Sequence, residues 1–295
     1  MENDRAQNPL VAKLLQFTPL TDEDIHVLQA LCSRRECFKG NVDILVEGEA
    51  PRSAFVITRG MACRYRLLAD GRRQILTFLI PGDFIDMHVL LLNSIDHFIS
   101  TIGRTRLAAI DRDTVIDIVL RHPRIKAAFW WSARQEDAML RERIVALGRR
   151  SARGRVAYLL CELVWRQRAA GMIKDNAIRL PLTQTDLADA LGLTAVCVNR
   201  VLQSFRRDQL ITLAQRRLIL HDVERLKDIS GLTPDYLQLR TTPSEVMRYF
   251  DPLETSRGAE VTGFTARTQR RQARVMGRSF CGFGWLLGTL TFGAA

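Results

Sequence analysis

The side chains best suited to molecular recognition lie at residues 194–207, which read TAVCVNRVLQSFRR. The apolar residues recur at helical spacing, so Asn199 and Arg200 fall outside the apolar stripe of a helix. A guanidinium can donate two hydrogen bonds to a guanine edge, and a carboxamide can pair in the same way with adenine. The segment therefore predicts contact with nucleic acid bases.

A helix-turn-helix must position these side chains. Thr183 precedes Asp186 by three positions and can cap a first helix. Gly192 then breaks the helical pattern, and Thr194 can cap a second helix. The second helix is expected to enter the major groove with its N-terminus first. The DNA-binding residues predicted on the two helices are Thr183, Thr194, Ala195, Val196, Asn199, Arg200 and Gln203.

The sequence LITLAQRRLIL at 210–220 predicts two short strands that follow the second helix. Arg216 and Arg217 lie at the tip of this wing and are expected to contact phosphates. A helical hairpin that binds no ligand is the alternative for the whole region.

The distribution of charge agrees with a polyanionic partner. The chain has 295 residues and a formal net charge of +11. Residues 149–217 carry 13 Lys or Arg against 5 Asp or Glu, whereas residues 1–148 carry 20 against 19. Positive charge is thus concentrated around the predicted helix-turn-helix, as phosphate neutralisation requires. Solvated helix faces rich in arginine are the alternative explanation.

The first half of the chain predicts strands. Two brief helices, Pro9 to Phe17 and Thr21 to Leu31, come first. From about Cys37 to Ile110 short apolar runs follow one another, and the Asp70-Gly71 pair predicts a hairpin turn. Glycines separate these runs at intervals typical of a small antiparallel barrel or sandwich, namely Gly40, Gly48, Gly60, Gly71 and Gly82.

A long helix is predicted from about Pro123 until Gly148 interrupts its pattern. Its seam has a 3-4-3-4-3 spacing that a second helix would cover, most simply the same helix of a second subunit. Packing of this seam on the chain's own barrel is the alternative. The seam comprises Trp130, Ala133, Asp137, Leu140, Ile144 and Leu147, of which all but Asp137 are the predicted dimerisation residues.

The order of these parts resembles the Crp/Fnr superfamily of bacterial transcription regulators. The matching residues are the glycine series, PGDF at 81–84, LTQTDLADALGLT at 182–194 and VNRVL at 198–202. The resemblance implies an α+β fold with an N-terminal antiparallel, jelly-roll-like β-roll at 10–122, a dimerisation helix at 123–148 and a C-terminal winged helix-turn-helix at 149–232. It also implies a homodimer that binds a two-fold symmetric promoter site in double-stranded DNA and contacts RNA polymerase.

Two departures from the family pattern argue against cyclic AMP as the effector. Members that bind it have Gly-Glu after PGDF and an Arg-Ser pair further on. Here the sequences are IDMH at 85–88 and DHFIS at 96–100, without the arginine. A buried cyclic phosphate would lack its charge partner. The signal is therefore expected to be a different one, and the residues predicted for an effector pocket are Asp83, Asp86, His88 and His97.

The cofactor is left unknown, because iron–sulfur and haem sites are not supported either. Cys32, Cys37 and Cys63 do not supply four thiolates, so we expect buried cysteines that behave as apolar residues. His88 and His97 could ligate haem or a metal, but hydrogen-bonded structural histidines are the favoured interpretation. No metal site is predicted.

The recognition helix and the C-terminal tail also depart from the family. Members with the best-known DNA site begin this helix with Arg and Glu, where this chain has Ala195 and Val196. A DNA site altered in its outer bases is therefore expected. Residues 233–295 do not fit the family and are expected to form an atypical, poorly ordered tail.

Other function classes are weighed against this interpretation. HExxH, GxSxG, Walker-type and CxxC motifs are absent from the sequence, so no enzyme is predicted. The remaining alternative is a cyclic-nucleotide-binding-like module that binds proteins and has no DNA-directed function. The chain opens MENDRAQNPL, and its apolar runs are shorter than the roughly 18 to 20 residues of a membrane helix. A cytoplasmic protein without a membrane partner is expected.

Overall fold

A computed structural model describes residues 8–50, 53–85, 94–173 and 175–232. Two short helices come first, α1 (Pro9–Leu14) and α2 (Asp22–Leu31). The Asn8 side chain accepts hydrogen bonds from the first amides of α1. Thr21 and Asp24 form a capping box at the start of α2. Both predicted helices are confirmed, although α1 ends three residues early.

The roll is one antiparallel sheet of six strands. Strands β3 and β6 are its long central pair, β1 and β2 pair with β6, and β4 and β5 pair with β3. The strands are β1 (Arg35–Phe38), β2 (Asp43–Leu45), β3 (Ser53–Leu67), β4 (Arg73–Leu79), β5 (Phe84–Ile85) and β6 (Phe98–Asp111). Gly71 adopts a φ of +81° in the predicted turn between β3 and β4, because glycine reaches this region without strain.

A helical pair follows the roll, α3 (Arg112–Arg121) and α4 (Pro123–Arg149). Helix α4 buries Ile125, Phe129 and Met139 against the rest of the chain. It continues through Gly148, contrary to the predicted break there, and Arg150 is the first extended residue. Glycine costs only about 1 kcal/mol in a helix, and the real boundary is set by Ser151, whose hydroxyl caps the next helix.

The winged domain comprises the remaining described elements. Helix α5 (Ala152–Ala169) is buried on nearly all sides and forms its centre. Around it lie β7 (Ala177–Arg179), α6 (Gln184–Leu191), α7 (Ala195–Arg207), β8 (Ile211–Ala214), β9 (Arg217–Leu220) and α8 (Val223–Ser230). Strands β7, β9 and β8 form a small antiparallel sheet in that order. The predicted α+β fold, with roll, long helix and winged helix-turn-helix, is confirmed.

The roll and the winged domain pack against each other. All described residues belong to one compact unit, and one apolar core joins Ile75 and Phe78 of the roll to Tyr158 of α5 and Leu187 of α6. The predicted tail at 233–295 lies outside the described residues.

Candidate nucleic-acid interface

The helix-turn-helix consists of α6, a three-residue turn and α7. The Thr183 hydroxyl accepts a hydrogen bond from the Asp186 amide, and the Asp186 carboxylate accepts one from the Thr183 amide at 2.9 Å. Gly192 ends α6 in the left-handed conformation with φ of +60°. The Thr194 hydroxyl then caps α7 by accepting from the Cys197 amide at 3.2 Å. The predicted caps are therefore present, and both threonine hydroxyls are engaged by their own helices.

The outer face of α7 is formed by side chains four and seven residues apart. Val196, Arg200 and Gln203 are exposed, and Val196 keeps 70% of its surface accessible. Val198, Leu202 and Phe205 are buried on the opposite side. The exposed trio lies on one strip of the helix surface, as a groove-reading helix requires.

Two predicted DNA-binding residues are less exposed than this trio. Ala195 is half-buried and packs against the core. Asn199 is also half-buried, and its Oδ1 atom accepts a hydrogen bond from Nε2 of Gln184 at 3.2 Å. This bond joins the two helices of the motif, a role that the sequence pattern did not reveal.

Arg153 of α5 contacts the C-terminal end of α7, and the sequence analysis did not predict a role for this residue. Its guanidinium donates to the Ser204 hydroxyl and to the Asp208 carboxylate. The guanidinium carbon also lies 4.8 Å from the centre of the Phe205 ring, a favourable cation–π distance. The spacing of residues along the sequence does not predict this contact, because about fifty residues separate Arg153 from its partners.

The wing is the hairpin of β8 and β9. Gln215 and Arg216 form its turn with φ of 50° and 60°, and the Arg216 carbonyl accepts a hydrogen bond from the Leu180 amide at 2.7 Å. Arg216 and Arg217 are both exposed. Arg216 lines a cavity shared with the roll, whereas Arg217 begins β9.

The seam of α4 is uncovered in the single chain. Trp130, Leu140 and Ile144 are exposed, with 70% of the Ile144 surface accessible, and Ala133 and Leu147 are half-buried. The face that packs on the chain itself is the opposite one. The alternative in which the seam packs on the chain's own barrel therefore does not describe this fold.

Asp83 and His97, the two predicted effector-pocket residues that the structure describes, belong to two networks of polar contacts. Asp83 is buried and pairs with Lys13 at 2.8 Å and with Arg166 of α5. Burial alone would raise the pKa of Asp83, but the charges of Arg166 and Lys13 outweigh it and lower this pKa. Asp83 therefore links the roll to the winged domain. Asp86 and His88 lie outside the described residues.

His97 belongs to the second network. Its Nδ1 atom lies 2.7 Å from an oxygen of Asp96, and its Nε2 atom lies 3.2 Å from Nε of Arg64. Arg64 also pairs with Glu136 of α4. Lys13 and Arg64 are thus two largely buried cations, and each is already paired with a carboxylate.

The described cysteines differ in their surroundings. Cys32, Cys63 and Cys161 are buried, as expected of apolar cysteines, and burial raises the pKa of Cys63 to about 12. Cys37 is exposed, contrary to expectation. A hydrogen bond from Arg104, with the nearby charge of Arg106, lowers its pKa. Strand β1 lies at the sheet edge, so its outward side chains reach solvent.

The described part of the chain contains no group of three or more His, Cys, Asp or Glu side chains arranged to hold a metal ion. It also contains no helix that is long and apolar enough to cross a membrane.

Family models match two segments of the chain. A cyclic nucleotide-binding domain matches residues 35–122, and a Crp-like helix-turn-helix domain matches residues 154–229. The transcriptional activatory protein AadR of Rhodopseudomonas palustris is 32% identical over 188 residues, which are 63% of this chain and 76% of AadR. The nitrogen fixation regulation protein FixK of Bradyrhizobium diazoefficiens is 29% identical over 199 residues, which are 67% of this chain and 82% of FixK.

Solved structures share the fold. FixK2 from Bradyrhizobium japonicum superposes with a TM-score of 0.61 at 24% identity, over 68% of this chain and 98% of FixK2. A CooA mutant from Carboxydothermus hydrogenoformans gives 0.54 at 21% identity, over 73% and 99% of the two chains. With its paired family domains and these relatives, the chain belongs to the Crp/Fnr family of DNA-binding transcription regulators.

Proposed function

We propose that this regulator binds a two-fold symmetric promoter site as a homodimer and reads each half-site with α7. The observation that carries the proposal is the exposed strip of Val196, Arg200 and Gln203. Arg200 is the base reader, since its guanidinium can donate two hydrogen bonds to guanine. The apolar Val196 suits the methyl group of thymine. The proposal contains no catalytic step.

The contacts that α5 and α6 make with α7 favour a rigid recognition helix. Arg153 contacts three residues near its C-terminal end, and Gln184 contacts Asn199 from α6. Neither set of contacts uses Arg200. A side chain that reads bases binds more tightly when its backbone is fixed in this way, because less conformational entropy is lost on binding.

The uncovered seam of α4 is proposed as the dimer contact. Exposed Trp130, Leu140 and Ile144 on one helix face would be covered by the same face of a second subunit. Two recognition helices related by this axis would meet half-sites about 34 Å apart. Arg217 on the wing and the capped ends of the helices would contact flanking phosphates.

A signal other than cyclic AMP is proposed to control the regulator. The pairing of Lys13 and Arg64 with carboxylates supports this view, as does the absence of the Arg-Ser pair. We also propose a contact with RNA polymerase, which is supported by membership of the family alone.

Selection of duplexes from a random pool, with purified full-length protein and no added ligand, tests the proposal. We expect enrichment of a two-fold symmetric site whose half-sites lie one helical turn apart. Sedimentation of the protein with the enriched duplex should give two chains per duplex. Enrichment of an asymmetric site, or binding by a single chain, would contradict it. If nothing is enriched even with cell extract added, the DNA-binding residues assigned here are wrong.

A further inference from the structure

A cavity of about 460 Å³ lies between the roll and the winged domain. Buried Met61 and Ile102, with Pro81 and Pro181, give it apolar walls. Five exposed arginines surround them, three from the roll and two from the winged domain, and we call this feature the arginine cavity. The five are Arg59, Arg104, Arg106, Arg179 and Arg216.

An irregularity in the two longest strands builds the roll side of the cavity. Arg59 faces Arg106 and Met61 faces Ile102, so three residues of β6 lie opposite the single residue Gly60 of β3. A side chain at Gly60 is excluded, since its Cβ atom would lie 2.6 Å from the Arg104 carbonyl oxygen. Such a bulge redirects the side chains around it, and here it brings the roll arginines to one place.

Hydrogen bonds hold both sides of the arginine cavity. The Thr105 hydroxyl donates to the Met61 carbonyl at 2.8 Å and fixes the bulge. On the winged side, the bond from the Leu180 amide to the Arg216 carbonyl fixes the turn next to Arg179. These hydrogen bonds fix the backbone next to the roll arginines and next to Arg179.

The charges of the arginine cavity are not balanced by the protein. Throughout the described ranges, none of the five arginines forms an ion pair with a carboxylate, and the residues that line the cavity include no Asp or Glu. Arg59 lies directly opposite Arg106 across the two strands, an arrangement in which like charges repel. The lowered pKa of Cys37 beside Arg104 and Arg106 agrees with a positive local potential.

From this geometry we infer that the arginine cavity binds a small phosphorylated molecule with an apolar or planar part, of which a nucleoside polyphosphate is the simplest class. Guanidinium groups pair with phosphate oxygens in a bidentate manner, and the apolar walls suit a base. The volume falls in the usual range for small-molecule sites. A cavity of this volume cannot admit a DNA duplex, which could contact only its rim.

Titration calorimetry of the full-length protein with tripolyphosphate and with ATP, in a buffer of about 50 mM salt, tests this inference. We expect one site per chain for each probe and tighter binding of ATP, because only ATP can use the apolar walls. The double variant R59Q/R104Q should bind both probes at least tenfold more weakly, by loss of two phosphate donors. The control R34Q/R72Q removes the same charge from exposed roll positions outside the cavity and should change binding less than twofold. Equal losses in the two variants would mean general electrostatic attraction and would overturn the inference, as would the absence of saturable binding to the parent.

Two further measurements separate this site from the DNA interface. R200A should bind both probes as the parent does, even if it no longer binds duplexes. If R59Q/R104Q instead keeps tripolyphosphate and ATP binding but binds long duplexes more weakly, the arginines contact the DNA that flanks the site and the inference is wrong.

Both double variants should melt within a few degrees of the parent, since each replaces exposed side chains. ATP should raise the melting temperature of the parent but not that of R59Q/R104Q.

Discussion

Arg73 on β4 of the roll binds Asp186 in the first turn of the helix-turn-helix, with Nη2 and Oδ1 2.7 Å apart. Its Nε atom lies 2.9 Å from the carboxylate of Asp189 on the same helix. Asp186 also forms the capping box with Thr183. Burial would raise the pKa of Asp186, but the Thr183 hydrogen bonds and Arg73 lower it. One carboxylate therefore both starts α6 and attaches that helix to the roll.

Replacing Arg73 with alanine should loosen α6 from the roll. The pairs are partly exposed, with 29% of the Arg73 side chain accessible, so we expect a loss of only about 1 kcal/mol in the free energy of unfolding. Hydrogen exchange of the α6 amides should become about fivefold faster, which is the factor that corresponds to this loss of stability. The control is R72A, because Arg72 pairs with Asp70 in its own turn. Equal exchange rates in α6 of R73A and R72A would count against a docking role for Arg73.

Replacing Arg200 with alanine should weaken binding to the selected duplex. A bidentate base contact is worth about 1–3 kcal/mol, which corresponds to about 5- to 150-fold in the dissociation constant. Fluorescence anisotropy with the selected duplex and with its base-substituted forms measures the loss. Arg207, exposed at the C-terminal end of the same helix, is the control, and R207A should reduce affinity less and equally for all sequences. If R200A discriminates bases as well as the parent does, Arg200 is not the base reader.

Replacing Asp83 with asparagine should destabilise the protein strongly. Asp83 and Arg166 have only 6% and 5% of their side chains exposed, and Lys13 has 13%. Removing the carboxylate leaves two buried cations side by side, which costs about 3–5 kcal/mol. Guanidinium denaturation measures this change. The control D70N affects an exposed turn and should cost about 0.5 kcal/mol or less.

The same carboxylate predicts a dependence on pH. The pKa of Asp83 is lower in the folded protein than its ordinary value of 3.8. Its contribution to stability is therefore complete well above pH 3.8 and is lost as the pH falls through the folded pKa. The stability difference between the parent and D83N should be constant near neutral pH and should shrink in acid. A difference that grows as the pH falls would contradict the assignment.

Replacing Ile144 with glutamate should weaken the proposed dimer. Ile144 is 70% exposed in the single chain, so the substitution costs the monomer little but places like charges together across a two-fold axis. Sedimentation equilibrium should show at least a tenfold rise in the dimer dissociation constant. Leu120, 75% exposed on α3 and outside the seam, provides the matched control L120E. A dimer that is as tight in I144E as in L120E would place the contact elsewhere.

Local patterns predicted most of the fold. The capping box at Thr183, the left-handed Gly192 and the cap at Thr194 each depend on neighbours within about four residues, so the sequence alone specifies them. The Asp70-Gly71 turn and the alternation of strands and glycines are local in the same sense. The boundary near Gly148 was misplaced because a single glycine does not outweigh the packing of a 27-residue helix.

The sequence by itself therefore determined the elements, their order and the family resemblance, whereas the structure narrowed the predicted outward set on α7 to Val196, Arg200 and Gln203 by half-burying Ala195 and Asn199. Only the tertiary structure decided that Asp83 joins Arg166, that Arg153 holds α7 and that five arginines meet at one cavity. These contacts join residues tens to more than one hundred positions apart. Their geometry depends on how the roll and the winged domain pack, and no short-range periodicity carries that information.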